Sequence, residues 1–176
     1  CQTQGAAEMI TVEFDNRSVR DALNDLAGRL GNLSPAMSEI GERLMESTQA
    51  RFNTSTGPDG GRWKPNSQAT ILNYLGGKSG VYGKKTGKLT SKGAGYASNK
   101  KPLVDSGDLR DNINWQLIPG GVAIGTDRFA EAWDAGAAVH QFGSLDGKIP
   151  ARPFLGVSGD DERTILDIVA GYLLDA

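Results

Sequence analysis

The stretch that most constrains this chain lies near its C-terminus, where Pro150 and Pro153 flank Arg152. Each proline fixes its own φ and restricts the residue before it, so the segment is predicted to be extended and stiff. Neither proline has an N–H to donate, which favours a sheet edge or a docking segment over a central strand. Phe154 and Leu155 are large apolar groups on this stiff segment, and they must be buried in this subunit or in a neighbouring one. We therefore predict a contact surface rather than a catalytic loop.

Four motifs in order along the chain resemble the signature of the phage virion morphogenesis (tail completion) family, typified by a protein of Mu-like phages. They are Pro58–Pro65, Pro102–Leu109, Ile124–Thr126, and the pair His140–Gly143 and Pro150–Gly156. The resemblance covers roughly residues 9–175. It implies a structural, non-enzymatic virion protein of the neck, which forms a homo-oligomeric ring, expected to be a hexamer, and joins the tail to the DNA-filled head. It also implies assembly in the host cytoplasm, other neck and tail proteins as partners, and double-stranded DNA passing through the ring.

The length of 176 residues favours a single domain with a real hydrophobic core. The single cysteine, Cys1, allows no intramolecular disulfide, and no apolar run approaches the roughly 18 residues of a membrane span. Residues 1–8 show no periodicity, whereas Met9 begins a strand-like run. We therefore expect residues 1–8 to be a remnant ahead of the native start or a disordered tail, and residues 9–176 to be one tail-completion domain.

Hydrophobic periodicity and turn signals predict an α+β fold, in which a small, mainly antiparallel sheet is packed by a helical hairpin and a C-terminal helix. Helices are predicted over about residues 17–30, 34–53, 67–75, 106–112 and 128–135, with a last helix capped by Ser158 or Asp160. Strands are predicted over residues 9–14, 113–118, 122–124 and 147–151.

Charge is distributed unevenly along the chain, although the net charge is only −2. From Gly60 to Val104 there are nine basic residues and no acidic one, which leaves ten basic and 21 acidic residues elsewhere. Within this stretch, residues 76–101 are rich in Gly, Ser and Lys. They are predicted to form a flexible, solvated insertion, either an arm or a long hairpin, because so few apolar groups cannot bury enough surface.

The lysines of this insertion indicate a polyanionic partner. They face either DNA, whose phosphates they would neutralise, or an acidic neighbouring subunit, and the sequence leaves both interpretations open. A nucleic-acid-binding accessory protein that uses residues 62–101 is therefore the main alternative function. The candidate DNA-facing or lumen-facing residues are Lys78, Lys84, Lys85, Lys88, Lys92, Lys100 and Lys101, with Tyr74, Tyr82 and Tyr96 interleaved as in single-strand binders.

Aromatic residues and arginines dominate interface hot spots, and this tendency suggests which residues make subunit contacts. We expect the Pro150–Gly156 segment to form one side of a head-to-tail interface that closes on rotation. The candidate subunit or partner contacts are Trp63, Trp133, His140, Arg152, Phe154 and Leu155.

A remote enzymatic alternative comes from Asp105-Ser106-Gly107, which has the form of an aspartic protease motif. In such enzymes two carboxylates share a proton, so one motif per chain would require a homodimer. The alternative, purely structural interpretation is that Asp105 or Ser106 caps the following helix. Such a cap stabilises a helix by about 1 kcal/mol. His140, the only histidine, has no local partner for a triad or a metal site. We therefore predict no catalytic, cofactor or metal site.

Overall fold

The computed structural model describes residues 17–30, 33–126 and 136–174. Within these ranges the helices are α1 (Arg17–Leu30), α2 (Ser34–Thr54), α3 (Gln68–Gly76), α4 (Ser91–Asn99), α5 (Asp108–Asp111), α6 (Gly136–Phe142) and α7 (Gly159–Leu174). Strands β1 (Ile113–Ile118) and β2 (Gly121–Thr126) form an antiparallel pair. The predicted α+β class is confirmed. The predicted strand at 9–14 and helix at 128–135 lie outside the described residues.

Helix α2 is the element against which most others pack, because both strands and α7 lie along it. Pro35 stands in its first turn, where a missing N–H costs nothing. The structure has Leu33 as the N-cap and Ser34 as the first helical residue, and no side chain caps this end. In the described ranges no helix has the length and apolarity needed to cross a bilayer.

Two hydrophobic clusters line the two halves of α2. The first consists of Met37, Ile40, Leu44, Ile165 and Val169 and joins α2 to α7. The second consists of Phe52, Trp63, Ile113, Ala137, Phe154 and Leu155 and joins α2 to β1, α6 and the C-terminal signature. Since α2 contributes to both clusters, it connects the two parts of the core.

Helix α1 packs on the first cluster through Val19 and Leu23. Helix α1 also contacts α7, so both α1 and α2 pack on the C-terminal helix.

The β-hairpin forms where alternating residues flank Pro119-Gly120, as predicted. In its register, Trp115 pairs with Ile124. The hairpin turns at Gly120, whose φ of +76° favours glycine. The hairpin approaches α2 closely at Gly41, where an added Cβ would lie 2.5 Å from the Trp115 ring. The missing side chain at this position therefore allows the sheet to pack on the helix.

The strand predicted at residues 147–151 is wrong, because side chains take the backbone groups that a ladder would need. The carboxylate of Asp146 accepts from the N–H of Lys148 at 3.1 Å, and Ser144 Oγ accepts from the N–H of Ile149 at 2.8 Å. Pro150 has no N–H at all. These bonds form a turn, and the chain leaves it as an irregular extended segment.

A buried arginine ties α2 to the C-terminal part of the chain. Arg51 Nη1 donates to the carbonyls of Phe154 at 2.8 Å and Gly156 at 2.7 Å, and Nη2 donates to Asp161 Oδ2 at 2.6 Å. The same carboxylate oxygen accepts from the N–H and Oγ of Ser158 at the start of α7. Burial lowers the pKa of Arg51, and the charge of Asp161 partly opposes this effect. Three separate segments therefore meet at one guanidinium group.

Replacing Arg51 with methionine should lower the free energy of unfolding by about 3–5 kcal/mol, because it leaves the Asp161 carboxylate buried and unpaired. Urea unfolding followed by circular dichroism measures the loss. The matched control is Arg43→Met on the same helix, whose pair with Glu46 is exposed and is worth about 0.5 kcal/mol. Equal losses for the two variants would contradict the central role of Arg51.

Candidate assembly interface

The Pro150–Gly156 signature segment lies inside its own chain. Phe154 has no exposed surface, Leu155 is 3% exposed and Arg152 is 7% exposed. The Phe154 ring packs against Phe52 of α2 with ring centroids 5.5 Å apart. The apolar groups on this stiff segment are therefore buried in the same subunit, which was one of the two outcomes that the sequence left open.

Gln141 on α6 pairs with the signature segment as a neighbouring strand would. Its Nε2 donates to the Leu155 carbonyl at 3.0 Å, and its Oε1 accepts from the N–H groups of Phe154 and Leu155, both at 3.0 Å. Sequence reasoning did not select Gln141, although it stands in the quoted His-Gln-Phe-Gly motif. A side-chain amide presents both a donor and an acceptor, so one residue satisfies three backbone groups.

The motif around Trp63 binds the same segment from the other side. Trp63 Nε1 donates to the Pro153 carbonyl at 2.8 Å. Arg152 Nε donates to the Lys64 carbonyl at 2.8 Å, and its Nη2 donates to the Pro65 carbonyl at 2.9 Å. Burial lowers the pKa of Arg152. Two motifs that are about 90 residues apart in sequence therefore hold each other in place.

The predicted contact residues thus have clear roles within one chain. Trp63, Arg152, Phe154 and Leu155 are buried and engaged there, so a subunit contact through them stays a prediction, and the fold explains them without one. His140 is half-buried on α6, and its carbonyl accepts from the Arg152 N–H at 2.7 Å. Trp133 lies outside the described residues.

Replacing Gln141 with leucine should destabilise the folded monomer by about 3 kcal/mol, because it leaves buried backbone groups of Phe154 and Leu155 without partners. The control is Gln116→Leu at an exposed position on β1, which should change the unfolding free energy by less than about 0.5 kcal/mol. Chemical denaturation of both variants measures the difference. A Gln141→Leu monomer of unchanged stability would contradict the structural role of this amide.

Residues 66–101 form a small ordered unit that we call the basic module. Ser67 Oγ accepts from the Thr70 N–H at the start of α3, and Thr90 Oγ accepts from the Gly93 N–H at the start of α4. Helix α3 confirms the predicted helix at 67–75, whereas α4 was not predicted. The mobility of the module as a whole stays a prediction.

The basic module packs closely although it has few apolar residues. Leu75 and Val81 are its buried side chains. Gly93 on α4 lies against the Val81 carbonyl, and a Cβ at Gly93 would also lie 2.7 Å from Leu89 Cδ1. Helix α4 can therefore approach the preceding loop only because position 93 has no side chain. Counting apolar residues misses this contact, which explains why the sequence did not predict helix α4.

Replacing Gly93 with alanine should loosen the basic module at a cost of about 1–3 kcal/mol, because the added methyl meets backbone. Gly95→Ala is the matched control on the same helix, since nothing lies within 4 Å of a Cβ there. Hydrogen exchange of residues 68–99 should be faster in Gly93→Ala and unchanged or slower in Gly95→Ala. Equal protection in both variants would show that the close approach is not essential.

Lysines and tyrosines alternate along one face of the basic module. The Lys92 and Lys78 ammonium groups each lie 5.8 Å from the Tyr96 ring centroid. Lys78 and Lys100 lie 5.0 Å and 4.4 Å from the Tyr74 ring centroid. Each contact is a cation–π interaction, which attracts an ammonium to the ring face without neutralising its charge. The Lys100 side chain is largely buried and paired with Asp105, so Lys78 and Lys92 are the exposed members of this row that a polyanion can contact.

The remaining candidate lysines divide into two groups. Lys84, Lys85 and Lys88 are exposed at the far end of the module, between α3 and α4. Lys101 is at its base, where Nζ donates to the Asn53 carbonyl at the end of α2 at 2.8 Å. The basic module thus has an exposed tip with three lysines and a base that Lys101 anchors to α2.

The geometry around Asp105 does not resemble an aspartic dyad. Its side chain is 86% exposed and pairs with the Lys100 ammonium, whereas a shared proton requires two carboxylates in contact. Ser106 Oγ accepts from the Asp108 N–H at 3.2 Å. However, Gly107 is the N-cap of α5 and no side chain caps this helix, so the predicted cap by Asp105 or Ser106 is wrong. Within the described ranges, no group of three or more His, Cys, Asp or Glu side chains could hold a metal ion.

A cleft of about 1300 Å³ lies between the base of the basic module and α6. Tyr74 and Lys100 line it from the module, and His140 lines it from the body. Residues 103–109, which carry the second motif of the signature, also line it, as do Pro150 and Arg152. The cleft therefore lies between the basic module and the signature segment.

The described ranges thus combine a small α+β scaffold, a signature segment buried in its own chain, and a basic module anchored at the end of α2. Comparison with known proteins gives the family. The chain belongs to the phage virion morphogenesis family, whose sequence profile matches residues 14–174. The family resemblance stated from the four motifs is thus confirmed.

Two curated relatives support this assignment. Tail completion protein S of Escherichia phage P2 is 28% identical over 161 residues, which cover 84% of this chain and 92% of that protein. Mu-like prophage FluMu G protein 2 of Haemophilus influenzae is 36% identical over 76 residues, which cover 40% of this chain and 51% of that protein. The chain therefore matches about half the length of the Haemophilus relative. No solved structure matches this chain.

Proposed function

We propose that this phage virion morphogenesis protein assembles into a homo-oligomeric ring, a hexamer, at the virion neck, where it joins the tail to the DNA-filled head. The observation that carries the proposal is the separation of charge within one chain. The stretch from Gly60 to Val104 has nine basic residues and no acidic one, and the rest has ten basic and 21 acidic residues. One copy therefore offers both halves of a complementary contact.

This charge separation favours head-to-tail association of identical copies. A contact between the basic module of one copy and the acidic body of the next is heterologous, and such contacts form a closed ring when the rotation between copies closes. Complementary charges also accelerate encounter and disfavour like-to-like contacts. The name of the P2 relative, tail completion protein S, supports a place at the end of the tail.

Further partners follow from this place in the virion. We propose that other neck and tail proteins contact the ring, that double-stranded DNA passes through it, and that it assembles in the host cytoplasm. The row of lysines and tyrosines on the basic module also supports the second candidate function, a nucleic-acid-binding accessory protein. In that case the single subunit would bind DNA with an affinity that falls steeply with salt.

Light scattering of the purified chain, at low and moderate salt and with and without double-stranded DNA, should distinguish the two functions. The ring predicts a mass of about six times the 18.6 kDa chain, without DNA. A particle that persists at moderate salt would show that apolar burial accompanies the charge contact. A monomer at every concentration that binds DNA only at low salt would contradict the ring and favour the accessory protein.

A further inference from the structure

We propose that the tip of the basic module docks into an acidic groove on α2 of a second copy of this chain. The lysine tip is defined by Lys84, Lys85 and Lys88, and the acidic groove by Glu39, Glu42 and Glu46. This inference rests on the proposed self-association and names the surfaces that would carry it.

The acidic groove is a concave surface on the N-terminal half of α2. It has a volume of about 510 Å³ and is lined by Pro35, Ser38, Glu39, Glu42, Arg43 and Glu46. The three glutamates stand at helical spacing, so their carboxylates share one face of α2. Arg43 contacts Glu46 at 3.3 Å and is the one basic residue among the described lining residues. The groove therefore keeps a net negative charge.

The lysine tip is held in a defined conformation by the backbone around it. Tyr82 and Leu89 pair across it as an isolated antiparallel bridge. Inside that bridge the Gly83 N–H donates to the Lys88 carbonyl at 2.9 Å, and the Gly87 N–H donates to the Gly83 carbonyl at 2.8 Å. Gly87 has a φ of +60°, which a residue with a side chain rarely adopts. The positive charges are therefore presented on an ordered turn.

The charges of the tip are not used within the described part of the chain. None of the ion pairs found there involves Lys84, Lys85 or Lys88. All three are exposed. Their charge is thus available to a carboxylate on another molecule.

The apolar groups beside the lysines favour a protein partner over DNA. Tyr82 is 40% exposed and Leu89 is 44% exposed, and both flank the lysine tip. A phosphate backbone cannot bury leucine, whereas Pro35 and the methylene groups of the glutamates can. A contact with the acidic groove would therefore satisfy both the charge and the apolar surface of the tip.

The position of the module on α2 indicates that the groove belongs to another copy. The base of the module is anchored through Lys101 to the Asn53 carbonyl, near the C-terminal end of α2. The groove lies between Pro35 and Glu46, so its centre is roughly 15–20 Å away along the helix at about 1.5 Å per residue. The base of the module and the groove thus lie toward opposite ends of α2, which is compatible with a head-to-tail contact between copies.

Zero-length cross-linking between isotopically distinct copies tests this contact directly. A mixture of unlabelled and ¹⁵N-labelled chains is treated with a carbodiimide, which activates a glutamate carboxylate. A lysine amine in contact then displaces the activating group as a urea and forms an amide. Mass spectrometry should find mixed-label peptides that join Lys84, Lys85 or Lys88 to Glu39, Glu42 or Glu46. An oligomer that cross-links only at other positions would overturn the contact and leave the proposed ring intact.

Charge reversal provides the second arm. Lys84→Glu with Lys85→Glu, and separately Glu42→Lys with Glu46→Lys, should each weaken self-association by at least about tenfold. An equimolar mixture of these two variants should assemble again, because every tip then meets a groove of opposite charge. The matched control is Lys148→Glu with Arg163→Glu, which makes the same charge change at exposed positions elsewhere and should assemble as the parent does.

The remaining outcomes separate this contact from the proposed function. Assembly that survives both reversals would overturn the contact and leave the ring. A parent chain that stays monomeric at all concentrations would overturn both proposals. DNA binding by the parent that is lost with Lys84→Glu and Lys85→Glu, without any tip-to-groove cross-link, would assign the tip to nucleic acid instead.

Discussion

The fold depends on one buried cation, the guanidinium group of Arg51. A charge in the interior is costly unless its donors meet acceptors and its charge meets an opposite charge, and here two carbonyls and Asp161 provide both. These acceptors belong to the signature segment and to α7. The arginine can therefore be accommodated only when α2, that segment and the start of α7 are all in place, which makes their assembly cooperative.

The same requirement for satisfied polar groups explains the form of the signature segment. Its prolines remove two N–H groups, so the segment cannot be a regular strand, and side chains supply the missing partners. Gln141 pairs with the residues after Pro153, and Trp63 binds the carbonyl of Pro153 itself. The residues that resemble the family signature thus hold the fold together, and a contact of the same residues with another subunit stays a prediction.

How far the sequence could predict this structure follows from the distance between interacting residues. Helices α2, α3 and α7 and the β-hairpin depend on local apolar spacing, caps and a Pro-Gly turn, and all were predicted. The bonds of Arg51 reach residues more than 100 positions away, so a local pattern cannot reveal them. The packing of helix α4 depends on the missing side chain of Gly93. The irregular segment after Asp146 arises because the Asp146 carboxylate accepts the backbone N–H of Lys148, which a strand would need. The sequence also left open whether Phe154 is buried in its own subunit or in a neighbour, because its contact with Phe52 joins distant parts of the chain.

The two ends of α2 give the molecule a direction. At its C-terminal end the helix is tied to the signature segment and to the base of the basic module, and at its N-terminal end it exposes a row of glutamates. If identical copies associate as proposed, surfaces of opposite charge on one chain would allow the same head-to-tail contact to be repeated from copy to copy. Such a heterologous contact forms a closed ring when the rotation between copies closes.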